Sequence, residues 1–423
     1  MEIFNIDLTE TFESWYFTVD SRDHTEYLYT KRAGLQQRRL EDKRMIRTIE
    51  LNSSLDAKPL IYGKVTAASL KNRVKTLDFH PAKILRENER ILTSLRQLDP
   101  IEWQIIFRAN HTGRILFKRE CKEKKSHFYY YSILVKLRLK DQRDFIEIGE
   151  GSVHALKFNQ DGLCTRLKKV VENHRHSKKM DFAHKVPVIL NSGDGGILFH
   201  ELLGHALEAD YVYRKQSPIT IQDLGKQVIS ENVTLLTQYN EDSFFKEIIC
   251  DDDGETIQSP VLVENGVLRH FIADSFYQEK LGLPQCGHSR LEDFSTPPMP
   301  RMYGLYVKPG PYHPEELIAS TPLGVYAGEF GEGKVHFNKN LFYFNIRDSH
   351  LIENGRLSTP LGSIVVQGNI LEVLNSVAMV ANDFRFDKGI SYCSKNGQTI
   401  NVRVGQPTVK INNLTITPYM GVQ

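Results

Sequence analysis

Residues 191–210 read NSGDGGILFHELLGHALEAD, and the rest of the 423-residue chain is read outward from them. A Gly-rich turn opens into an apolar run at helical spacing, with Ile197, Leu198, Leu202, Leu203, Ala206 and Leu207 on one face and Asn191 or Ser192 placed to cap the first turn. Into this run the sequence puts His200, Glu201 and His205. Burying two imidazoles and a carboxylate costs free energy unless something compensates them, and a bound cation is the usual compensation. The alternative is a hydrogen-bonded histidine pair inside a core, and the short pattern alone leaves both readings open.

Spacing narrows the geometry. In H-E-x-x-H the two imidazoles lie ~40° apart on one helical face, whereas H-E-x-x-x-H sets His200 and His205 about 140° apart in a regular α-helix. Both can face one ion only if the helix widens by one residue or stops early. Gly204, directly before His205, is the expected place for a π-bulge.

Around this stretch stand further blocks: PVILNSGDGGILFHELLGHALEAD from Pro187, DDDGETIQSPVLVENGVL from Asp251, PPMPRM from Pro297, GVYAGEFGEGKV from Gly324 and CSKNGQTINVRVGQPTVKINNLTI from Cys393. In these blocks and in their order the chain resembles the TldD/PmbA family of metallopeptidases. The clear resemblance covers about residues 185 to 416, with weaker likeness upstream. It implies an α+β protein of two domains, a zinc ion, an extended peptide as substrate, and a homodimer or a heterodimer with a family paralogue. In the family the third ligand is the cysteine of a C-terminal C-x-K-x-G-Q block, which falls here on Cys393, with Ser394 where the family has glycine. The implied metal ligands are therefore His200, His205 and Cys393. A thiolate suits zinc better than magnesium or calcium. Glu208, three residues beyond His205, is placed either to bind the ion or to fix a ligand imidazole by hydrogen bonding.

The implied chemistry is amide hydrolysis, with Glu201 taking a proton from water and passing it to the leaving amine. An oxyanion stabiliser is also required, and His288, Arg290 and Arg301 are the substrate-binding candidates, although the two arginines can equally be structural. Leu291 to Phe294 departs from the family, whose block there is richer in arginine and ends in Ser-Tyr. Two other function classes remain: a peptide-binding partner subunit with little activity, and metal-dependent peptide modification other than hydrolysis. Maturation of a peptide natural product is one setting for the hydrolytic reading.

Composition fits a globular protein, with 40% hydrophobic and 25% charged residues and a net charge of +2. No apolar run approaches the ~20 residues of a membrane-spanning helix. The N-terminus, MEIFNIDLTETFESW, lacks the basic-then-apolar order of a signal peptide. A cytoplasmic address is the expectation. The five cysteines are odd in number, widely spaced and without a C-x-x-C pair, which argues for reduced thiols. Residues 1–180 hold 35 Lys+Arg against 24 Asp+Glu and residues 181–423 hold 19 against 28, so a basic N-terminal domain precedes an acidic C-terminal one. Basic and acidic residues are interspersed and no nucleic-acid motif stands out, so nucleic acid is not expected as a partner.

The expected layout is an N-terminal α/β domain over residues 1–180 and a mainly β domain over 181–423 that carries the metal-site helix. Short alternating runs before Gly63 read as strands, Pro81 to Leu98 as an amphipathic helix, and WQIIFRANHTGRILFKRE as a hairpin turning near Asn110 to Gly113. Lys168 to Lys179 reads as an exposed connection, Gly331 to Gly333 as a loop or pocket wall, and Leu371 to Val380 as a helix. Asn265-Gly266 and Asn354-Gly355 read as hairpin turns.

Overall fold

A computed structural model describes residues 15–30, 34–50, 60–61, 89–118, 121–140, 145–153, 158–178, 183–237, 243–245, 248, 250–292 and 296–419. The fold is α+β. In the first part, six antiparallel strands run in the order Leu60–Ile61, Gly34–Glu50, Trp15–Thr30, Glu102–Lys118, Cys121–Arg138, Ile146–Ser152. Two helices, Glu89–Leu98 and Gln160–His176, bury Ile91, Leu95, Leu163 and Leu167 against Ile105, Phe107, Ile133 and Val135 of that sheet. The strand residues recur with period two, so one face of the sheet is apolar and takes the helices.

Two expectations change here, and a third, the amphipathic helix, holds over its described part. Glu102–Lys118 is one uninterrupted strand, because Asn110 to Gly113 pairs on both sides, with His24 to Ser21 and with Tyr130 to His127. Lys168 onward is not a connection but the second half of the helix that ends at His176, with Val170 and Val171 buried in the core and His174 Nε2 2.8 Å from the Arg347 carbonyl. The expected helix from Pro81 is described from Glu89 on, so Ile84 and Leu85 lie outside the described residues, as do Asp293 and Phe294.

In the second part, five strands close a ring: Leu323–His336 pairs with His184–Leu190, then Val409–Pro418, Ile364–Asn369, Leu341–Glu353, and back to Leu323–His336. Val188, Val325, Ile346, Val366 and Ile411 of this ring join one large apolar cluster. A second six-stranded sheet contributes Leu235, Leu262, Val263 and Leu305 to the same cluster. Gly331 to Gly333 lies inside the bulged strand Leu323–His336 and the chain reverses instead at Phe337–Lys339, where Asn340 adopts φ 52°. The expected helix at Leu371 is Ile370–Asn375 only. Val377–Val380 leaves it to pair with Val409–Ile411. Asn265-Gly266 and Asn354-Gly355 both turn with positive φ, as their side chains allow.

Residues 196–207 run between the closed ring and the second sheet. Leu198, Phe199, Leu202, Leu203, Ala206 and Leu207 are all fully buried in the shared cluster. Such complete burial of an apolar stripe stabilises by roughly 1.5–3 kcal/mol per large side chain and fixes which face of the helix meets the strands.

Candidate metal centre

The site begins with a turn that only small residues can make. Gly193 has φ 85°, a Cβ on Gly195 would sit 2.3 Å from Gln406 Nε2, and one on Gly196 would sit 3.0 Å from the Gly405 nitrogen. The turn is thereby pressed against strand Arg403–Gln406. The helix starts at Gly196 with no side-chain cap, so Asn191 and Ser192 do not serve as the cap the sequence suggested. The main-chain carbonyls of Gly193, Asp194 and Gly195 accept from the N–H groups of Gly196, Ile197 and Leu198 instead.

From Gly196–Phe199 the chain passes into a π-turn, His200–Gly204, in which the His205 N–H donates to the His200 carbonyl. The i to i+5 bond is the one-residue widening that the histidine spacing asks for. It brings the two rings edge to face with centroids 5.0 Å apart. Gly204 has an ordinary helical φ of −54°, so its role is room: a Cβ would lie 2.4 Å from Met302 Sδ and 3.1 Å from Leu305 Cδ2.

Cys393 arrives from the other end of the sequence on strand Tyr392–Lys395, which pairs with Gln398–Asn401 through a turn at Asn396-Gly397 with φ 50° and 77°. Alternation along that strand buries Cys393 and Lys395 on one face and exposes Tyr392 and Ser394. Cys393 Sγ lies 3.1 Å from His205 Nε2. The ligand atoms of His200, His205 and Cys393 all fall within 4.8 Å of one another, and all three residues are buried.

Two observations fit a cation here. Both ring nitrogens of His200 are buried without a hydrogen-bond partner among the described residues, an arrangement that costs free energy unless something binds them. Two imidazoles and a thiolate are also the donor set of a borderline-soft divalent ion such as zinc. Burial alone would raise the Cys393 thiol, but the imidazoles of His205 and His200 outweigh it and hold the thiol well below its ordinary value. Burial likewise opposes a charge on His205, and Cys393 with Glu208 overcomes it and raises that imidazole.

Glu201 lies 4.0 Å from His205 Nε2 with its side chain 23% exposed, so it borders both the cluster and solvent. Burial raises its carboxyl above the usual range, with His205 and His200 opposing. Behind the cluster, Glu208 Oε2 takes His205 Nδ1 at 2.7 Å and the Lys395 ammonium at 2.8 Å, and Lys395 also donates to Asp210 Oδ1 at 2.6 Å. Burial disfavours the Glu208 charge, yet His205 and Lys395 bring its carboxyl down to about 2. Of this network the sequence reading found Glu208. Asp210 and Lys395 were missed, although Lys395 sits two residues beyond Cys393 and therefore on the same strand face.

His288, Arg290 and Arg301 are buried. Arg301 donates to the main-chain oxygens of Cys393 at 2.5 Å and Gln398 at 3.4 Å. Arg290 donates to those of Met302 and Asn401 and lies 4.2 Å over the Tyr303 ring and 5.3 Å over that of Phe245. His288 Nδ1 is 2.7 Å from the Cys286 carbonyl, and burial lowers its imidazole to about 4. The sequence offers these groups as substrate-binding candidates, with a structural role for the two arginines as the alternative. The described hydrogen bonds of both arginines go to main-chain carbonyls, while Arg301 Nε is buried without a hydrogen-bond partner among the described residues.

Comparison with known proteins bears on the same region. Residues 183–418 match the family model described as the PmbA/TldA metallopeptidase C-terminal domain. The chain is 36% identical over 240 residues to the Metalloprotease TldD homolog of Buchnera aphidicola, covering 57% of this chain and 50% of that protein. It is 30% identical over 239 residues to the Zinc metalloprotease TldD homolog of Saccharolobus solfataricus, covering 56% and 53%. The chain thus spans about half the length of these curated relatives. The crystal structure of TldE from Thermococcus kodakarensis shares the fold, with a TM-score of 0.74 at 15% identity over 96% of this chain and 97% of that one.

Proposed function

Since the chain belongs to the PmbA/TldA metallopeptidase family, we propose that it is a zinc-dependent peptidase with His200, His205 and Cys393 as ligands and Glu201 as general base. The observation that carries the proposal is the convergence of two buried imidazoles and a thiol within 4.8 Å, beside a partly exposed carboxylate. Three protein ligands are the usual complement of a catalytic zinc site, which keeps a fourth position for water or substrate. Bound there, zinc supplies a Lewis acid that polarises a peptide carbonyl and acidifies water. Glu201 accepts the proton of the attacking water at its carboxylate and delivers it to the leaving amine. Burial raises its carboxyl, which makes it a stronger proton acceptor than a free glutamate. Arg290 and Arg301 in this reading hold the main chain around Cys393 and Asn401.

The proposal extends to the substrate and the assembly. The substrate is an unfolded or precursor peptide bound in extended form, including the precursors of peptide natural products, and the working unit is a dimer with a second copy or a paralogue. The division near residue 180 and a cytoplasmic address belong to the same proposal. Among the described residues no helix is long and apolar enough to cross a membrane, and Cys164, Cys250, Cys286 and Cys393 are buried thiols.

The test is one flexible peptide offered free and embedded in a stable domain, followed by mass spectrometry with and without a chelator, beside Glu201→Gln. Chelator-sensitive cleavage of the free peptide alone, reduced by about 10²–10⁴-fold in Glu201→Gln with zinc retained, is the expected result. An active glutamine variant contradicts the role of Glu201, and equal cleavage of both substrates contradicts the extended-peptide reading.

A further inference from the structure

Lys395 is an unusual resident of a protein interior. Its side chain is 1% exposed, and its ammonium donates to Glu208 Oε2, Asp210 Oδ1 and the Pro300 carbonyl at 2.8, 2.6 and 3.2 Å while sitting 4.4 Å from the centre of the Tyr211 ring. Three N–H bonds are all that an ammonium can donate, so the group is satisfied in place. Desolvating a lysine and two carboxylates is expensive, and such a cluster is a weak way to stabilise a fold. What it does locally is visible in its connections. The Glu208 oxygen that accepts from Lys395 is the one that lies 2.7 Å from His205 Nδ1. On the opposite side of the same ring, His205 Nε2 faces Cys393 Sγ at 3.1 Å.

One short strand therefore grips His205 from both ends. Cys393 and Lys395 are two residues apart and share a buried face, so the thiol reaches Nε2 directly and the ammonium reaches Nδ1 through Glu208. From this we infer that Lys395 is a positioning residue: by holding Glu208 as an acceptor for the Nδ1 proton, it keeps His205 Nε2 turned towards Cys393. The inference rests on the proposed ligand set of His200, His205 and Cys393. Without the ammonium, the buried carboxylates of Glu208 and Asp210 lose the group that bridges them, and Glu208 loses the hydrogen bond that holds it against the imidazole. The ring is then free to turn. The spacing of cysteine and lysine thereby gains a physical meaning, since a lysine one residue earlier or later would point to solvent.

The experiment compares wild type, Lys395→Met, Glu208→Gln and the double variant Lys395→Met/Asp210→Asn as full chains. Two readouts are taken: zinc affinity by competition with a chromogenic chelator, and the downfield Nδ1–H resonance of His205 in metal-free protein labelled with 15N-histidine. Lys395→Met is expected to lose the resonance and to bind zinc roughly 10–100-fold more weakly, the usual effect of removing a group that orients a ligand. The double variant regains part of both, because one buried carboxylate no longer opposes the other. Glu208→Gln, nearly isosteric, decides the matter if Lys395→Met does not fold: weaker zinc binding supports the inference, and unchanged binding overturns it. A folded Lys395→Met with the wild-type resonance and affinity also overturns it. A wild type that binds no zinc yet shows a resonance that Lys395→Met loses would overturn the metallopeptidase proposal and leave the role of Lys395 standing.

Discussion

Cys393 Sγ lies 3.1 Å from His205 Nε2, although the two residues are 188 positions apart in the sequence. The contact joins the ends of a domain-sized segment, and each side is held by different means: His205 by a π-turn, Cys393 by a two-stranded hairpin whose main chain is pinned by Arg301. Two expectations follow from how these supports are built.

Gly204→Ala separates two explanations of the glycine. Helix propensity alone makes alanine more favourable by about 1 kcal/mol in a helix interior. Here the new methyl would meet Met302 Sδ at 2.4 Å and Leu305 Cδ2 at 3.1 Å, both in buried side chains. Overpacking of this kind typically costs 1–3 kcal/mol, so the variant should unfold at lower urea and retain less zinc, with partial recovery when Met302→Ala makes room. A stabilised Gly204→Ala would show that the turn is not packed as described.

Arg301→Met tests whether Arg301 holds the Cys393 strand or meets substrate. The side chain is fully buried and donates to the Cys393 and Gln398 carbonyls. Losing a hydrogen bond from a charged donor costs about 1.5–3 kcal/mol. Stability and zinc content should fall together. A variant with wild-type stability and metal but a raised KM would restore the substrate-binding role that the sequence suggested.

The sequence foreshadows the clustering of His200 and His205 better than it does the strands around them. His200, His205 and their awkward spacing were visible because buried polar residues stand out against an apolar run, and the need for a π-turn follows from arithmetic on 3.6 residues per turn. Turns at Asn265-Gly266 and Asn354-Gly355 were visible because positive φ selects asparagine and glycine. Asn110 to Gly113 was misread as a turn, because its polar residues pair on both sides within a long strand, which local composition does not encode. Charges on Lys168 to His176 hid a helix whose apolar residues, Leu163, Leu167, Val170 and Val171, recur at helical spacing. Lys395 and Asp210 escaped notice because a buried ion pair between distant residues leaves no periodic signal.

Asp274 supplies a test by pH. It caps helix Ser275–Leu281 by accepting the Tyr277 N–H, and burial, with Asp253 nearby, pushes its carboxyl up to about 7 from 3.8. The folded chain therefore keeps a proton that the unfolded chain has released between about pH 4 and 7. The stability this group contributes is fully present below about pH 4 and is lost as pH rises through about 7, up to about 4 kcal/mol on linkage. Asp274→Asn retains the capping oxygen and removes the titration. Urea midpoints at pH 5 and pH 8 should differ less in Asp274→Asn than in wild type, and an equal difference would remove Asp274 as a source of the pH dependence.

The central claim is that Cys393 completes a zinc site with His200 and His205, and elemental analysis of purified wild type beside Cys393→Ala tests it most directly. Wild type should hold about one zinc per chain and Cys393→Ala far less at the same level of folding, because two imidazoles alone bind weakly. Equal zinc in both proteins would contradict the claim and take Cys393 out of the site.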